Sequence, residues 1–290
     1  MRFLAEDRFK EQRRFLHFFL KNPLTVLGLI IVFGLIVVAL FAPQIAPYPE
    51  QGMGLSIVEN RLLPPSAQFL LGTDELGRDV LSRIIFGAQV SLKAAVIVIL
   101  VVVAIGTPLG VIAGYFGGKV DEVIMRGCDL FLAFPPLLLA IAIVAALGPS
   151  LINAMIALSV PWWPWYTRIT RGQTISLKER QFVEAAQAIG VPSFRIMFRH
   201  ILPNCITPVI VQATLDMGYI ILSLAGLGFL GLGSQPPIAD WGVMVGDGRT
   251  FILDQWWIST FPGIAILITV LGLNLVGDGV AEILNPKRRK

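Results

Sequence analysis

The chain has 290 residues, of which 55% are hydrophobic and 14% charged, with a mean hydropathy of +0.75 and a formal net charge of +4. Soluble domains carry about 25% charged residues, so this composition excludes an ordinary soluble enzyme and indicates an integral membrane protein. The basic residues are dispersed between apolar runs, which gives no support to nucleic-acid binding.

Residues 1–21 are basic and lead into an apolar run too long for a signal-peptide core, with no small-residue cleavage site, so the run reads as an uncleaved first span. Six apolar segments reach or approach the roughly 20 helical residues needed to cross a bilayer: 23–46, 92–115, 131–147, 151–166, 208–232 and 258–276. The expected fold is therefore all-α, a polytopic membrane protein of about six transmembrane helices. Gly148-Pro149-Ser150 suits a tight turn between the third and fourth. The fourth is the weakest: Pro161 and Pro164 interrupt it, and Trp162, Trp163, Trp165 and Tyr166 read as an interfacial belt or a kinked end. Phe134-Pro135-Pro136 is expected to kink the third.

Basic residues set the orientation. Arg2, Arg8, Lys10, Arg13, Arg14 and Lys21 precede the first span, and Lys119 and Arg126 follow the second. Arg168, Arg171, Lys178, Arg180, Arg195 and Arg199 follow the fourth, and Lys287, Arg288, Arg289 and Lys290 close the chain. An even number of spans puts these on one side, so the positive-inside rule places both termini, the segments 1–22 and 281–290, in the cytoplasm. The segment 47–91 then lies outside. It is long for a loop between membrane helices, and long loops tend to be functional. Within it Asp74, Arg78, Asp79 and Arg83 have near-helical spacing, so an ion-pair ladder can stiffen the start of the second span. An ordinary solvated face and a contact with a binding protein are both open for these four.

Between the fourth and fifth spans, 176–204 is neither strongly apolar nor loop-like. Ser176 and Glu179 have capping-box spacing for a helix start. Gly190 can take the left-handed conformation that ends that helix, and Pro192 discourages continuation. A second short helix from Ser193 is expected to stop at Leu202-Pro203-Asn204. Phe182, Val183, Ala186 and Ile189 recur at helical spacing and suit either a partner's groove or the bundle itself.

Here the residues carry a resemblance. Glu184-Ala185-Ala186, then Gly190, then His200-Ile201-Leu202-Pro203 resembles the EAA loop of membrane subunits of ABC importers. The string from Leu71 to Asp79 with Ser82-Arg83, Gly87 and Ser91-Leu92 is similar to the C-type permease subunits of the dipeptide, oligopeptide and nickel branch. So are Gly114-Tyr115-Phe116-Gly117-Gly118 with Asp121, Phe229-Leu230-Gly231-Leu232-Gly233 with Pro236-Pro237 and Trp241-Gly242, and Asn274 to Gly279. The resemblance covers nearly the whole chain from the first span onward, including a five-helix core over 92–280. It implies an inner-membrane permease for di- or oligopeptides, with nickel or metal chelates and oligosaccharides as alternatives. It also implies a homologous B-type permease as heterodimer partner, two ATPase subunits that hold ATP and Mg, and an extracytoplasmic solute-binding protein. By this resemblance Glu184, Ala185, Ala186, Gly190, His200, Leu202 and Pro203 carry the coupling to the ATPase.

Other signals point away from catalysis. Gly226-Leu-Gly228-Phe-Leu-Gly231 is a literal GxGxxG, but it follows an apolar helical run rather than a strand, so close packing of small residues is the better reading. Near Gly117-Gly118-Lys119, Ala113 stands where a P-loop needs glycine and Val120 where it needs Ser or Thr. Neither an HExxH nor a GxSxG motif occurs. Cys128 and Cys205 form no metal pattern, and no metal or cofactor is expected on this chain. Asp216 is an acidic residue well inside an apolar run, a costly placement. Three readings are open for it: lining the translocation path, pairing with a partner subunit, or structural hydrogen bonding. A secondary transporter would instead show coupling-ion carboxylates and inverted repeats, and Asp216 is the one such candidate.

Overall fold

A computed structural model describes residues 22–284. Nearly all of the expected cytoplasmic N-terminal segment and the basic end of the tail lie outside the described residues. The described residues are helical apart from turns and one isolated bridge between Thr73 and Asp79.

Helix α1, Pro23–Leu40, starts on Asn22, whose side chain accepts the Leu24 amide at 3.0 Å. Short turns Ala42–Ile45, Pro49–Gly52 and Val58–Asn60 follow in a cap that leads to α2, Val80–Phe116. Helix α2 begins at Val80 rather than at 92 because Asp79 is its N-cap, accepting the Ser82 amide at 2.8 Å. Hydropathy misses this first part because Ser82, Arg83 and Gln89 interrupt the apolar run, yet Ser82 and Arg83 are buried.

Gly117 and Gly118, both left-handed at φ +67° and +51°, turn the chain into α3, Gly118–Leu132. At Pro135-Pro136 the chain bends by 84° into α4, Pro136–Leu147, where Pro136 is tolerated at the first helical turn. Ser150 caps α5, Leu151–Lys178, by accepting the Asn153 amide at 3.1 Å. The elbow helix α6, Gln181–Ala188, precedes α7, Ser193–Phe229, which contains a π-helical turn at Ile196–Ile201. Helices α8, Trp241–Gly248, and α9, Trp257–Leu284, complete the chain.

Helices α1, α2, α7 and α9 are long and apolar enough to cross a membrane, and the bent α3–α4 pair adds a fifth candidate. The remaining expected segment, 151–166, is the first part of α5, whose second half turns polar at Thr167, Arg168, Thr170 and Arg171. Its two prolines do not break it. Trp162 and Tyr166 are core residues rather than an interfacial belt, while Trp165 is exposed.

The largest helix interface joins α2 to α5. Gly106, Gly110 and Gly114 lie on one face of α2 at four-residue spacing. A Cβ at Gly106 would stand 2.4 Å from the Trp163 carbonyl oxygen, one at Gly110 2.4 Å from that of Thr167, and one at Gly114 2.7 Å from the Thr174 Cβ. Small residues let the two backbones meet, and dispersion replaces the hydrophobic effect, which lipid does not supply between helices. The main core lies where α2, α4, α5 and α7 converge, around Val98, Val102, Val144, Leu158, Tyr166 and Ile220. Helix α1 rests mainly on α9, with Gly28 close to Leu275 and Gly272 close to Ile31. The GxGxxG string is a packing element: Gly228 lies against the start of α8 and Gly231, at φ +76°, follows the end of α7.

Candidate functional site

Three places carry candidate functional residues: the elbow and the cap at opposite ends of α2, and a cavity between them.

At the elbow, the helix start expected from Ser176 and Glu179 is not there. Helix α5 runs through Ser176 to Lys178, and α6 begins after Arg180, which makes no side-chain cap. A continuing helix satisfies those amides from its own preceding turn, so the capping-box pair is not needed. The end of α6 does follow its local chemistry. Gly190 has φ +77°, its amide donates to Gln187 O at 3.0 Å, and the Val191 amide donates to Ala186 O at 3.0 Å, a Schellman closure. The second helix does not stop at Leu202-Pro203-Asn204. It passes through the π turn into α7, and the Leu202 amide reaches back to Met197 O. A wider turn tolerates Pro203, which has no amide to offer and sits in the first turn after it.

Packing divides α6 into two faces. Val183 and Ala186 join Val111, Tyr115, Ile196, Met197, Ile201 and Cys205 in a satellite core under the elbow, with Leu202 packed against it. On the other face Phe182 is 45% exposed, and beyond the helix end Ile189 is 81% and Phe194, at the start of α7, 70% exposed. Glu184, Ala185, Gly190 and Pro203 are exposed, and His200 is half-buried. The sequence pattern alone does not make this split, because Phe182, Val183, Ala186 and Ile189 all fit one helical period.

Fixed points tie the elbow to α2. Lys178 Nζ donates to Tyr115 O at 2.7 Å, satisfying a carbonyl of the last turn of α2, and Tyr115 Oη and Ser193 Oγ are 3.3 Å apart. Beside them Arg171 binds Asp121 through both carboxylate oxygens, Nη2 to Oδ2 at 2.6 Å, and Arg168 pairs with Asp129, so α3 is fastened to α5. Such bidentate geometry is the strong form of the arginine–carboxylate pair.

At the cap, Asp74 is 4% exposed, Arg78 5%, Asp79 1% and Arg83 3%, so the solvated-face reading fails. Asp74 Oδ1 accepts the amides of Leu76 and Arg78, each at 2.9 Å, and its Oδ2 accepts Arg78 Nε at 2.7 Å. Arg83 Nε stands 3.7 Å from Asp74 Oδ2 without a hydrogen-bond partner. Its guanidinium also donates to Pro237 O at 3.3 Å and Ile238 O at 3.4 Å. Only Arg83 of the four is within a helix, so the network is a knot between a turn and a helix start rather than a helical ladder. Gly77, at φ +74°, allows that turn: a Cβ there would lie 1.8 Å from the Ile57 carbonyl oxygen. Two tryptophans seal the cap, Trp257 Nε1 donating to Thr73 O at 3.1 Å and Trp241 Nε1 to Ile84 O at 2.9 Å. Burial, with Asp74 adjacent, raises Glu75 above the usual carboxylate range, and burial also raises Asp79 and Asp247.

Between the two ends lies a cavity of about 510 Å³ whose walls include Trp162, Gln212, Asp216, Tyr219 and Asn274. Tyr166 Oη donates to Asp216 Oδ2 at 2.8 Å and Gln212 Nε2 to Oδ1 at 2.9 Å. Sequence spacing does not show that α5 supplies Tyr166 to Asp216, because the two residues are far apart in the chain.

No group of three or more His, Cys, Asp or Glu positioned for a metal occurs among the described residues. Cys128 and Cys205 are free and buried.

Helices long and apolar enough to cross a membrane, a cavity among them, a buried ionic cap at one end of α2 and an exposed elbow at the other suit a transporter membrane subunit. The same fold occurs in a solved structure: the chain superposes on the MetNI methionine ABC transporter in inward-facing conformations with a TM-score of 0.53 at 18% identity, covering 69% of this chain and 94% of that one. Residues 106–290 match the binding-protein-dependent transport system inner membrane component family, and the chain belongs to it. Residues 12–65 match the N-terminal TM domain of oligopeptide transport permease C. Among relatives, it is 45% identical over 266 residues to the probable D,D-dipeptide transport system permease protein DdpC of Escherichia coli K12, covering 92% of this chain and 88% of that protein. It is 47% identical over 271 residues to the dipeptide transport system permease protein DppC of Alkalihalophilus pseudofirmus, with 93% and 88% covered. The glutathione transport system permease protein GsiD of Escherichia coli O6:K15:H31 is 42% identical over 269 residues, with 93% and 88% covered. The chain is thus an inner-membrane, multi-pass permease subunit of a binding-protein-dependent importer.

Proposed function

We propose that this subunit forms half of the translocation path for di- or oligopeptides and is driven by separate ATPase subunits that engage its elbow. The observation that carries this is an α6 helix with two faces, one packed on α2 and α7 and the other, Phe182, Ala185 and Ile189, left apolar and exposed on a protein of this family. Relatives named as dipeptide permeases support the peptide cargo over metal chelates or oligosaccharides.

In this reading a homologous permease completes the path, ATP and Mg are held by the ATPase pair, and a solute-binding protein delivers cargo to the cap. Glu184 supplies a charge-assisted contact to an ATPase donor, while Gly190, His200, Leu202 and Pro203 shape the elbow. Both termini and the elbow face the cytoplasm, as the distribution of basic residues supports. Because Asp74, Arg78, Asp79 and Arg83 are internal, they act by holding the shape of the surface that meets the binding protein. Asp216 lines the path.

The test is uptake together with ATP hydrolysis in proteoliposomes holding the full complex. Glu184→Lys and Gly190→Pro are expected to leave the subunit inserted while uptake falls at least tenfold for the same ATP hydrolysed. Wild-type uptake by both variants would remove the elbow from the coupling route.

A further inference from the structure

We propose that the central cavity is a station for a protonated amine, held by the Asp216 carboxylate and the aromatic faces of Trp162 and Tyr219. This rests on the reading of the cavity as part of the path and adds the chemical group that it recognises.

Asp216 carries a formal negative charge inside a membrane helix, and no Lys or Arg pairs with it among the described residues. Its hydrogen-bond partners are two neutral donors, the Tyr166 hydroxyl and the Gln212 amide. Each carboxylate oxygen accepts one of these and keeps further capacity to accept. Gln212 lies on the same wall and carries an amide oxygen, a second acceptor, beside the carboxylate. A negative charge and acceptor oxygens together favour a positively charged guest with hydrogens to donate.

The aromatic side of the cavity suits the same guest. Trp162 and Tyr219 are paired with ring centroids 5.1 Å apart and tilted by 41°. Both line the cavity with Asp216; Tyr219 is half-exposed and Trp162 is buried. A cation near such rings gains from their negative faces, more so once desolvated. The volume of about 510 Å³ is larger than one ammonium needs, leaving room for the chain attached to it. For a peptide cargo the recognised group is the free amino terminus, which every unblocked peptide carries regardless of its side chains.

The experiment measures uptake of a radiolabelled dipeptide with a free amino terminus by the full complex and its binding protein in proteoliposomes. Asp216→Asn keeps the shape and an acceptor for Tyr166 but removes the charge, and uptake is expected to fall at least tenfold with subunit composition unchanged. Tyr219→Leu is expected to lower uptake about threefold to tenfold. Tyr166→Phe removes one hydrogen bond and keeps the charge, and is expected to stay within about threefold of wild type. The proposal is overturned by wild-type uptake in Asp216→Asn. It is also overturned if uptake is lost together with a partner subunit, which would assign the carboxylate to assembly. A loss in Tyr166→Phe as large as that in Asp216→Asn would assign it to a structural tie. If the unmodified complex moves no dipeptide, the peptide-importer reading itself fails, and this is seen before any variant is compared.

Discussion

At its N-terminal end α2 enters a cap in which Asp74, Arg78, Asp79 and Arg83 are buried, whereas at its C-terminal end it meets an elbow whose Phe182, Ile189 and Phe194 stand in the open. Polar groups are hidden at the cap and apolar groups are displayed at the elbow, the reverse of what each exterior environment favours. Burying charges carries a desolvation cost that is recovered only if every partner is in place, so the cap has one arrangement it can hold. Displaying apolar surface is costly until something covers it. Helix α6 packs on a small satellite core, and polar contacts of Lys178 and Ser193 with Tyr115 tie the chain on either side of it to α2. The difference separates a part tied together by buried charges from a part that displays apolar surface.

The contrast can be broken most directly at the ionic knot. Asp74→Ala removes the carboxylate that Arg78 binds and Arg83 faces, leaving Arg78 only its longer pair with Glu75, and is expected to cost about 3–5 kcal/mol, read from thermal unfolding of the purified chain in detergent. A cost under about 1 kcal/mol would mean that the cap does not depend on its charges.

Two glycines with nearly equal backbone angles sharpen the comparison. Gly77 is at φ +74° and Gly190 at φ +77°, but a Cβ at Gly77 meets the Ile57 carbonyl oxygen, while one at Gly190 meets nothing within 4 Å. Gly190→Ala carries left-handed strain alone, about 1–2 kcal/mol, and Gly77→Ala is expected to cost clearly more because backbone must also move. Equal losses in the same unfolding measurement would show that the cap yields as readily as the elbow.

Smaller still is the stability change expected at the exposed elbow face. Phe182→Ser and Ile189→Ser should alter unfolding by no more than about 0.5 kcal/mol, as for surface positions generally. They should nevertheless reduce recovery of ATPase subunits with the chain in pull-down from cells that express the whole complex. Unchanged recovery would leave that apolar face without a partner.

The gentlest probe is pH. Burial raises the carboxyls of Glu75, Asp79 and Asp247, so the folded cap binds protons more tightly than the unfolded chain. Their contribution to stability is then fully present below the ordinary carboxylate range and is lost as pH rises through the raised values. Melting temperature is expected to fall as pH rises from about 4 towards neutrality, and Glu75→Gln should flatten that slope. A slope unaffected by Glu75→Gln would place its origin away from the cap.

Local chemistry already contains a good deal of this molecule. The apolar runs demand helices because lipid offers no hydrogen bonds to an open backbone. Gly148 and Gly190 end helices where their backbone freedom suggests, and Phe134-Pro135-Pro136 bends the chain where an amide is missing. The Gly106, Gly110, Gly114 spacing, a readable signal of close helix approach, marks the face that α5 occupies. Glu184, Gly190 and the His200 string mark out the elbow by their order, and a family match over 106–290 covers it.

Other features depend on neighbours far along the chain. Ser176 and Glu179 form a capping pair in sequence but lie where α5 is still running or has just ended, because its packing on α2 keeps the helix intact. Pro203 reads as a stop, and the π turn before it carries the helix through. The faces of α6 are indistinguishable by period and were divided by which side meets Val111 and Tyr115. Asp74 and Arg83 look like solvent-facing charges until the 234–240 segment and two tryptophans close over them. Composition and periodicity thus determined a helical membrane subunit with an elbow. Which charges are hidden, which apolar side chains are offered, and which tyrosine holds Asp216 were decided only by tertiary packing, since burial belongs to the assembled neighbours and not to any single stretch of residues.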